Sequence, residues 1–168
     1  MDKELERLVC KAKGKDPDAF TALMNAYVQH LYKTAKAILM NDEDVADAMQ
    51  ETIMTCWEKM GSLKEVRYFK AWVTKILINE CYILIRGRKG VTYVEEIPEI
   101  PDDREESDLE WKEALAVLGE EYRLPVVLYY VQGFQTKEIA KLMGISDSAV
   151  RTRLSRAREQ LRKYYEEA

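Results

Sequence analysis

Arg151, Arg153, Arg156, Arg158, Arg162 and Lys163 crowd one short stretch near the end of the 168-residue chain, interleaved with Ser148, Thr152 and Ser155. Guanidinium groups grip phosphate and can fork onto guanine edges, and hydroxyls bond to either, so this set suits duplex nucleic acid. A second set, Tyr68, Trp72, Lys75, Asn79, Tyr82 and Arg86, recurs at steps of four, three, four, three and four and runs on into Arg88 and Lys89. That spacing lays it along one helix face. Aromatic rings among cations suit a single strand, because each ring stacks an unpaired base at about 1–3 kcal/mol while the cations follow phosphate. The alternative for the same face is packing of Trp72 and Tyr82 against a neighbouring helix.

Residues for other chemistry are sparse. The chain has one histidine, His30, read as a surface residue, and so offers no histidine metal site or triad. Its three cysteines, Cys10, Cys56 and Cys81, are widely spaced and form no Cys-x-x-Cys pair, so neither a disulfide framework nor a zinc site follows. Cys56 and Cys81 fall on or near apolar stripes and read as small buried hydrophobes. The carboxylates Asp42, Glu43, Asp44 and Asp47 are better explained by helix capping and a partner surface than by a metal. No catalytic set, cofactor, metal or small-molecule substrate is expected. The N-terminal residues are charged and no apolar run approaches the roughly 18 residues of a membrane span, so a cytoplasmic protein is expected.

The net charge of −4 conceals a pattern. Residues 61–90 carry seven basic and two acidic side chains, residues 91–111 one and nine, and residues 135–168 eight and five. The acidic stretch holds two of the four prolines, repels itself and lacks the apolar surface to offset its ordering entropy. Residues 90–108 are therefore expected to be a flexible acidic linker between two domains, 1–89 and 109–168.

Seven glycines and four prolines are few for a sheet protein, and the apolar periodicity is helical. Helices are expected over residues 2–13, ending at Gly14; after the Asp16-Pro17-Asp18 start signal, with Phe20, Leu23, Met24, Tyr27, Leu31, Ile38 and Leu39 inward; after the Asn41-Asp42 cap, ending at Gly61; and from Val66 to Arg86. In the last of these, Phe69, Val73, Ile76, Leu77 and Leu84 form the core stripe. The second domain opens with a helical pair, Leu109–Leu118 and Glu121–Val131, in which Pro125 is tolerable only near a helix start. Residues 135–154 then fit a helix-turn-helix. Ile139, Leu142, Ile145, Val150 and Leu154 supply the apolar contacts, Ala140 is small at the crossing, Gly144 allows a left-handed turn and Ser146 caps the second helix. The first turns of that helix would enter a major groove.

Three stretches together resemble a known family. Asp44-Val45-Ala46-Asp47-Ala48-Met49-Gln50-Glu51-Thr52 through Trp57, Phe69-Lys70-Ala71-Trp72 through Arg86, and residues 135–163 are similar, in order and spacing, to regions 2.2, 2.3–2.4 and 4.2 of sigma-70 family RNA polymerase sigma factors of the extracytoplasmic-function (ECF) group. The resemblance implies an all-α chain of a sigma2-like bundle and a sigma4-like helix-turn-helix domain, with no enzymatic activity of its own. It implies that Asp44, Asp47, Gln50, Glu51 and Trp57 bind the β′ clamp coiled coil of core RNA polymerase, and that the β flap is a further contact. Tyr68, Phe69, Trp72, Lys75, Asn79, Tyr82, Arg86, Arg88 and Lys89 would hold the melted −10 element. Ser148, Arg151, Thr152, Arg153, Ser155, Arg156 and Arg158 would face the −35 element, and a sequestering anti-sigma factor would be a further partner. Three positions depart from the pattern: Gln135 stands where the family has Ser or Thr, with Thr136 available to cap instead, Gly119 stands for Pro, and Glu80 for Asp. A helix-turn-helix repressor or activator acting without polymerase explains residues 135–168 equally well, but leaves the Trp72 face and the acidic 44–51 surface without a role.

Overall fold

Side-chain caps set the helix starts of the first unit. The structure, a computed structural model, describes residues 2–87 and 106–167. Asp2 accepts from the Glu4 amide at 3.1 Å and opens α1 (Lys3–Lys13). Asp16 accepts from the Asp18 and Ala19 amides at 3.0 and 3.2 Å and opens α2 (Pro17–Leu39), whose first residue is a proline with no amide to satisfy. Asn41 accepts from the Asp44 amide at 2.9 Å and opens α3 (Asp42–Lys59). Two 3-10 turns, Met60–Ser62 and Val66–Tyr68, lead into α4 (Phe69–Gly87). The α-helix thus begins three residues later than the expected Val66, leaving Tyr68 on the turn.

These helices close around Leu23, Leu31, Val45, Met60, Phe69 and Leu77, all buried. Complete burial of side chains of this size is worth about 1.5–3 kcal/mol each. Met60 and Leu63 pin the intervening segment to the core, so the approach to α4 is anchored. Cys56 and Cys81 are buried and Cys10 is exposed. His30 is half-buried, its ring 5.7 Å from that of Tyr27, rather than a surface residue.

The chain divides into two compact units, Met1–Lys89 and Gly90–Ala168. Residues 88–105, which include Arg88, Lys89 and most of the expected linker, lie outside the described residues. The linker's expected end is too late: α5 (Glu106–Val117) already includes residues 106–108.

In the second unit, α6 (Glu120–Val126) passes into a π-helical turn, Val127–Val131, in which the Gln132 amide reaches back to the Val127 carbonyl at 2.9 Å. Pro125 is the sixth residue of α6 and buried, beyond the helix start to which it was confined in the sequence. It has no N–H for the Glu121 carbonyl. Then come α7 (Thr136–Met143) and α8 (Asp147–Glu167), joined through Gly144 at φ 67°. The left-handed turn is open to glycine at little cost. Ser146 Oγ accepts from the Ala149 amide at 3.1 Å and caps α8. Ile139, Leu142, Val150 and Leu154 are buried between the helices, while Ile145 is only half-buried. Gln135, not Thr136, sits at the N-cap of α7, where its amide donates to Glu138 Oε1 at 3.2 Å. Among the described residues there is no strand.

Candidate nucleic-acid and partner surfaces

On α8, the apolar residues Val150, Leu154 and Ala157 face inward and the cations face out. Ser148, Arg151, Thr152, Ser155, Arg156 and Arg158 are exposed and Arg153 is half-buried. Ser148, Thr152, Arg153 and Arg156 line an open cleft of about 330 Å³ together with Glu121 and Tyr122 of α6. Arg151 and Arg158 of this helix are each bonded to the protein. Arg151 Nε donates to Asp147 Oδ2 at 2.9 Å and its Nη2 bonds to the same oxygen. The Thr136 hydroxyl and the Arg151 guanidinium hold the Asp147 carboxyl below its ordinary range. Arg158 Nη1 donates to the Tyr130 hydroxyl at 2.8 Å. Sequence reasoning missed Asp147, although an Asp four residues before an Arg on a helix is a readable pair.

On α4, Lys75, Asn79, Tyr82 and Arg86 are exposed along one face, with Tyr68 just before it at 51 % exposure. The Arg67 guanidinium lies 4.8 Å from the centre of the Tyr68 ring. Trp72 is half-buried, with its ring 5.9 Å from that of Phe69, so it serves the core and still presents an edge. Phe69 corrects the expectation placed on it. It is wholly buried and meets Tyr27 edge-on at 5.2 Å, so no strand can reach it. The helical period that put Phe69 in the core stripe gave the right side. Glu80, half-buried, takes a long contact of 3.5 Å from the Thr55 hydroxyl of α3.

On α3, Asp47, Gln50 and Glu51 are exposed on one face. Asp44 is not on that surface: it is 7 % exposed and accepts from Asn41 Nδ2 at 2.7 Å while its own amide is capped by the same side chain. Trp57 is half-buried and packs edge-on against Phe20 at 5.0 Å. Lys15 covers it, with Nζ 4.7 Å from the ring centre and a hydrogen bond to the Trp57 carbonyl. Asp42 accepts from the Tyr32 hydroxyl at 2.8 Å and Lys36 Nζ at 3.0 Å. Among the described residues no cluster of three or more His, Cys, Asp or Glu could hold a metal, and no helix is long and apolar enough to cross a membrane.

α4 and all but the last turns of α8 fall within matches to family models: Sigma-70 region 2 over residues 23–91 and Sigma-70, region 4 over residues 108–161. The chain belongs to the sigma-70 family. Its role is that of an RNA polymerase sigma factor, and sigma factors are DNA-binding transcription initiation factors. Relatives carry the ECF designation. The chain is 26 % identical to the ECF RNA polymerase sigma factor SigM of Mycobacterium tuberculosis, covering 94 % of this chain and 82 % of that protein. It is also 26 % identical to the ECF RNA polymerase sigma factor SigW of Bacillus subtilis, covering 97 % of each. Among solved structures, the sigma factor RpoE of Bartonella quintana, in complex with the anti-sigma factor NepR, matches with a TM-score of 0.75 at 26 % identity, covering 88 % of this chain and 96 % of that one.

Proposed function

We propose that this sigma factor joins core RNA polymerase through the exposed Asp47, Gln50 and Glu51 edge of α3, reads the −35 duplex with α8 and holds the melted −10 strand on the α4 face. Residues 1–89 are then the unit for polymerase and the −10 element, and residues 109–168 the unit for the −35 element. The observation that carries this reading is the presence of two unlike cationic faces on separate compact units. One interleaves Tyr68, Trp72 and Tyr82 with Lys75 and Arg86, and the other presents Ser148, Thr152, Ser155 and a series of arginines. Stackable rings suit unpaired bases, and a helix-turn-helix with exposed arginines suits a major groove.

Phe69 and Asp44 do not act as contacts in this scheme. Phe69 holds the start of the helix that presents Trp72, just after the turn that carries Tyr68, and Asp44 holds the first turn of the helix that presents Asp47. Two weak DNA sites on one chain reinforce each other through effective concentration, so neither needs to bind promoter DNA tightly alone. The solved complex of RpoE with NepR supports an anti-sigma factor as the partner that holds this chain inactive, and that partner also sets where in the cell the inactive chain sits.

Gel-shift assays with the chain, core polymerase and both together test the proposal. The mixture should form a promoter-specific complex that neither component forms alone. A dimeric chain that binds a palindromic duplex without polymerase would make it a stand-alone regulator instead.

A further inference from the structure

Arg151 does not stand free on the exposed face of α8. Its Nε and Nη2 both donate to Asp147 Oδ2, the first at 2.9 Å. A guanidinium offers five N–H donors in one plane. Asp147 occupies its side edge, leaving one hydrogen of Nη1 and one of Nη2 side by side at the tip. Asp147 is the better-anchored partner, with a side chain 25 % exposed against 67 % for Arg151. It is the first residue of α8, beside the Ser146 cap, and its other carboxylate oxygen, Oδ1, is buried. An anchored carboxylate that grips a long cation along its side fixes where the tip points.

We infer that Asp147 is a positioning residue for sequence reading. It holds Arg151 end-on, so that the free end of the fork meets a base edge such as guanine O6 and N7 instead of swinging to the nearest phosphate. This rests on the reading of α8 as the −35 helix and adds to it the determinant of one base pair. The same carboxylate repels the DNA backbone, so it exchanges general affinity for discrimination. Without Asp147, Arg151 would keep its charge and become a phosphate contact.

The test uses holoenzyme assembled from the full chain and core polymerase, on duplexes in which each upstream base pair is varied in turn. Asp147→Asn should lower discrimination at one base pair roughly tenfold. It should also tighten binding to unrelated duplex and steepen the log–log salt dependence by about one unit. Arg151→Lys, which keeps the charge but loses the fork, should lose the same preference, and it tests the idea independently should Asp147→Asn weaken the fold. In an Arg151→Ala background, Asp147→Asn should change no preference. Even strengthening over all sequences with every preference intact would overturn the inference, as would an equal loss of preference with and without Arg151. A wild-type holoenzyme with no upstream preference at all would remove the −35 reading itself, which is a different failure.

Discussion

The Phe69 ring meets the Tyr27 ring edge-on with their centroids 5.2 Å apart, and this contact ties the start of α4 to the middle of α2. Phe69 has no exposed surface, whereas its neighbour Tyr68 is half exposed on the 3-10 turn. Phe69→Ala should therefore destabilise the protein by about 3–5 kcal/mol. Tyr68→Ala should leave the melting temperature nearly unchanged and act only on promoter opening. Thermal unfolding of the two variants, set beside open-complex yield, checks the division.

Trp72 belongs to both sides of that division. Its ring lies 5.9 Å from Phe69 and it is half-buried. If its free edge stacks a base, Trp72→Ala removes about 1–3 kcal/mol from the opened state and little from the closed complex. Permanganate reactivity of unpaired thymines should fall while closed-complex gel shifts persist. Unchanged reactivity would leave Trp72 a packing residue only.

The acidic face of α3 separates in the same way. Asn41→Ala removes the cap on the Asp44 amide and Asp44→Ala the carboxylate that accepts from Asn41 Nδ2, and each should lower stability by about 1 kcal/mol. Gln50→Lys combined with Glu51→Lys alters exposed positions, so it should leave stability within about 0.5 kcal/mol and lower the retention of core polymerase on the immobilised chain. Loss of retention for Asp44→Ala alone, without a stability cost, would return Asp44 to the partner surface.

Burial pushes the Cys56 and Cys81 thiols up to about 12 from an ordinary 9.0, while Cys10 is exposed. At neutral pH one thiol of the three should react quickly with a disulfide reagent, and the other two only after denaturation. The pH dependence follows from the raised values. Below 9.0 the thiols are neutral in both states and the stability is fully present. Between 9.0 and about 12 the unfolded chain releases protons that the native chain retains, so stability falls as pH rises. Tyr27, raised by burial, adds a slope of the same sign at higher pH. Urea titrations at about pH 8 and about pH 10.5 measure the slope, and Cys→Ala at both buried positions should reduce it.

Arg156 is exposed and lines the cleft beside Ser148 and Thr152. Arg156→Ala should cost about 1–3 kcal/mol at one −35 base pair and relax the preference there. Even weakening over all sequences would make Arg156 a phosphate contact.

The helices of both units were legible because their signals are local. Asp16-Pro17, Asn41 and Ser146 cap what they were expected to cap, and Gly144 takes the left-handed turn. The exposed set Lys75, Asn79, Tyr82 and Arg86 followed from helical period alone. What failed depended on direction or on competition between neighbours. Family position placed Phe69 and Asp44 in contact surfaces, yet a motif gives the place in the chain and not the side a residue faces. Thr136 was offered as a cap, but it is already the first residue of α7, and Gln135 holds the cap position. The π-helical turn after Pro125 has no sequence period of its own. The Asp147–Arg151 pair was readable but was masked by the attraction of reading each arginine as free.

In the proposed function, one chain gives core polymerase its promoter preference through two separate elements. Transcription in vitro on a pooled promoter library, with core polymerase alone and with this protein added, tests it most directly. New transcripts should start downstream of a shared two-part motif, with Arg156→Ala relaxing only the upstream half and Trp72→Ala reducing opening at the downstream half. Transcripts unchanged by the protein, together with specific binding of the chain alone to a palindromic duplex, would contradict it.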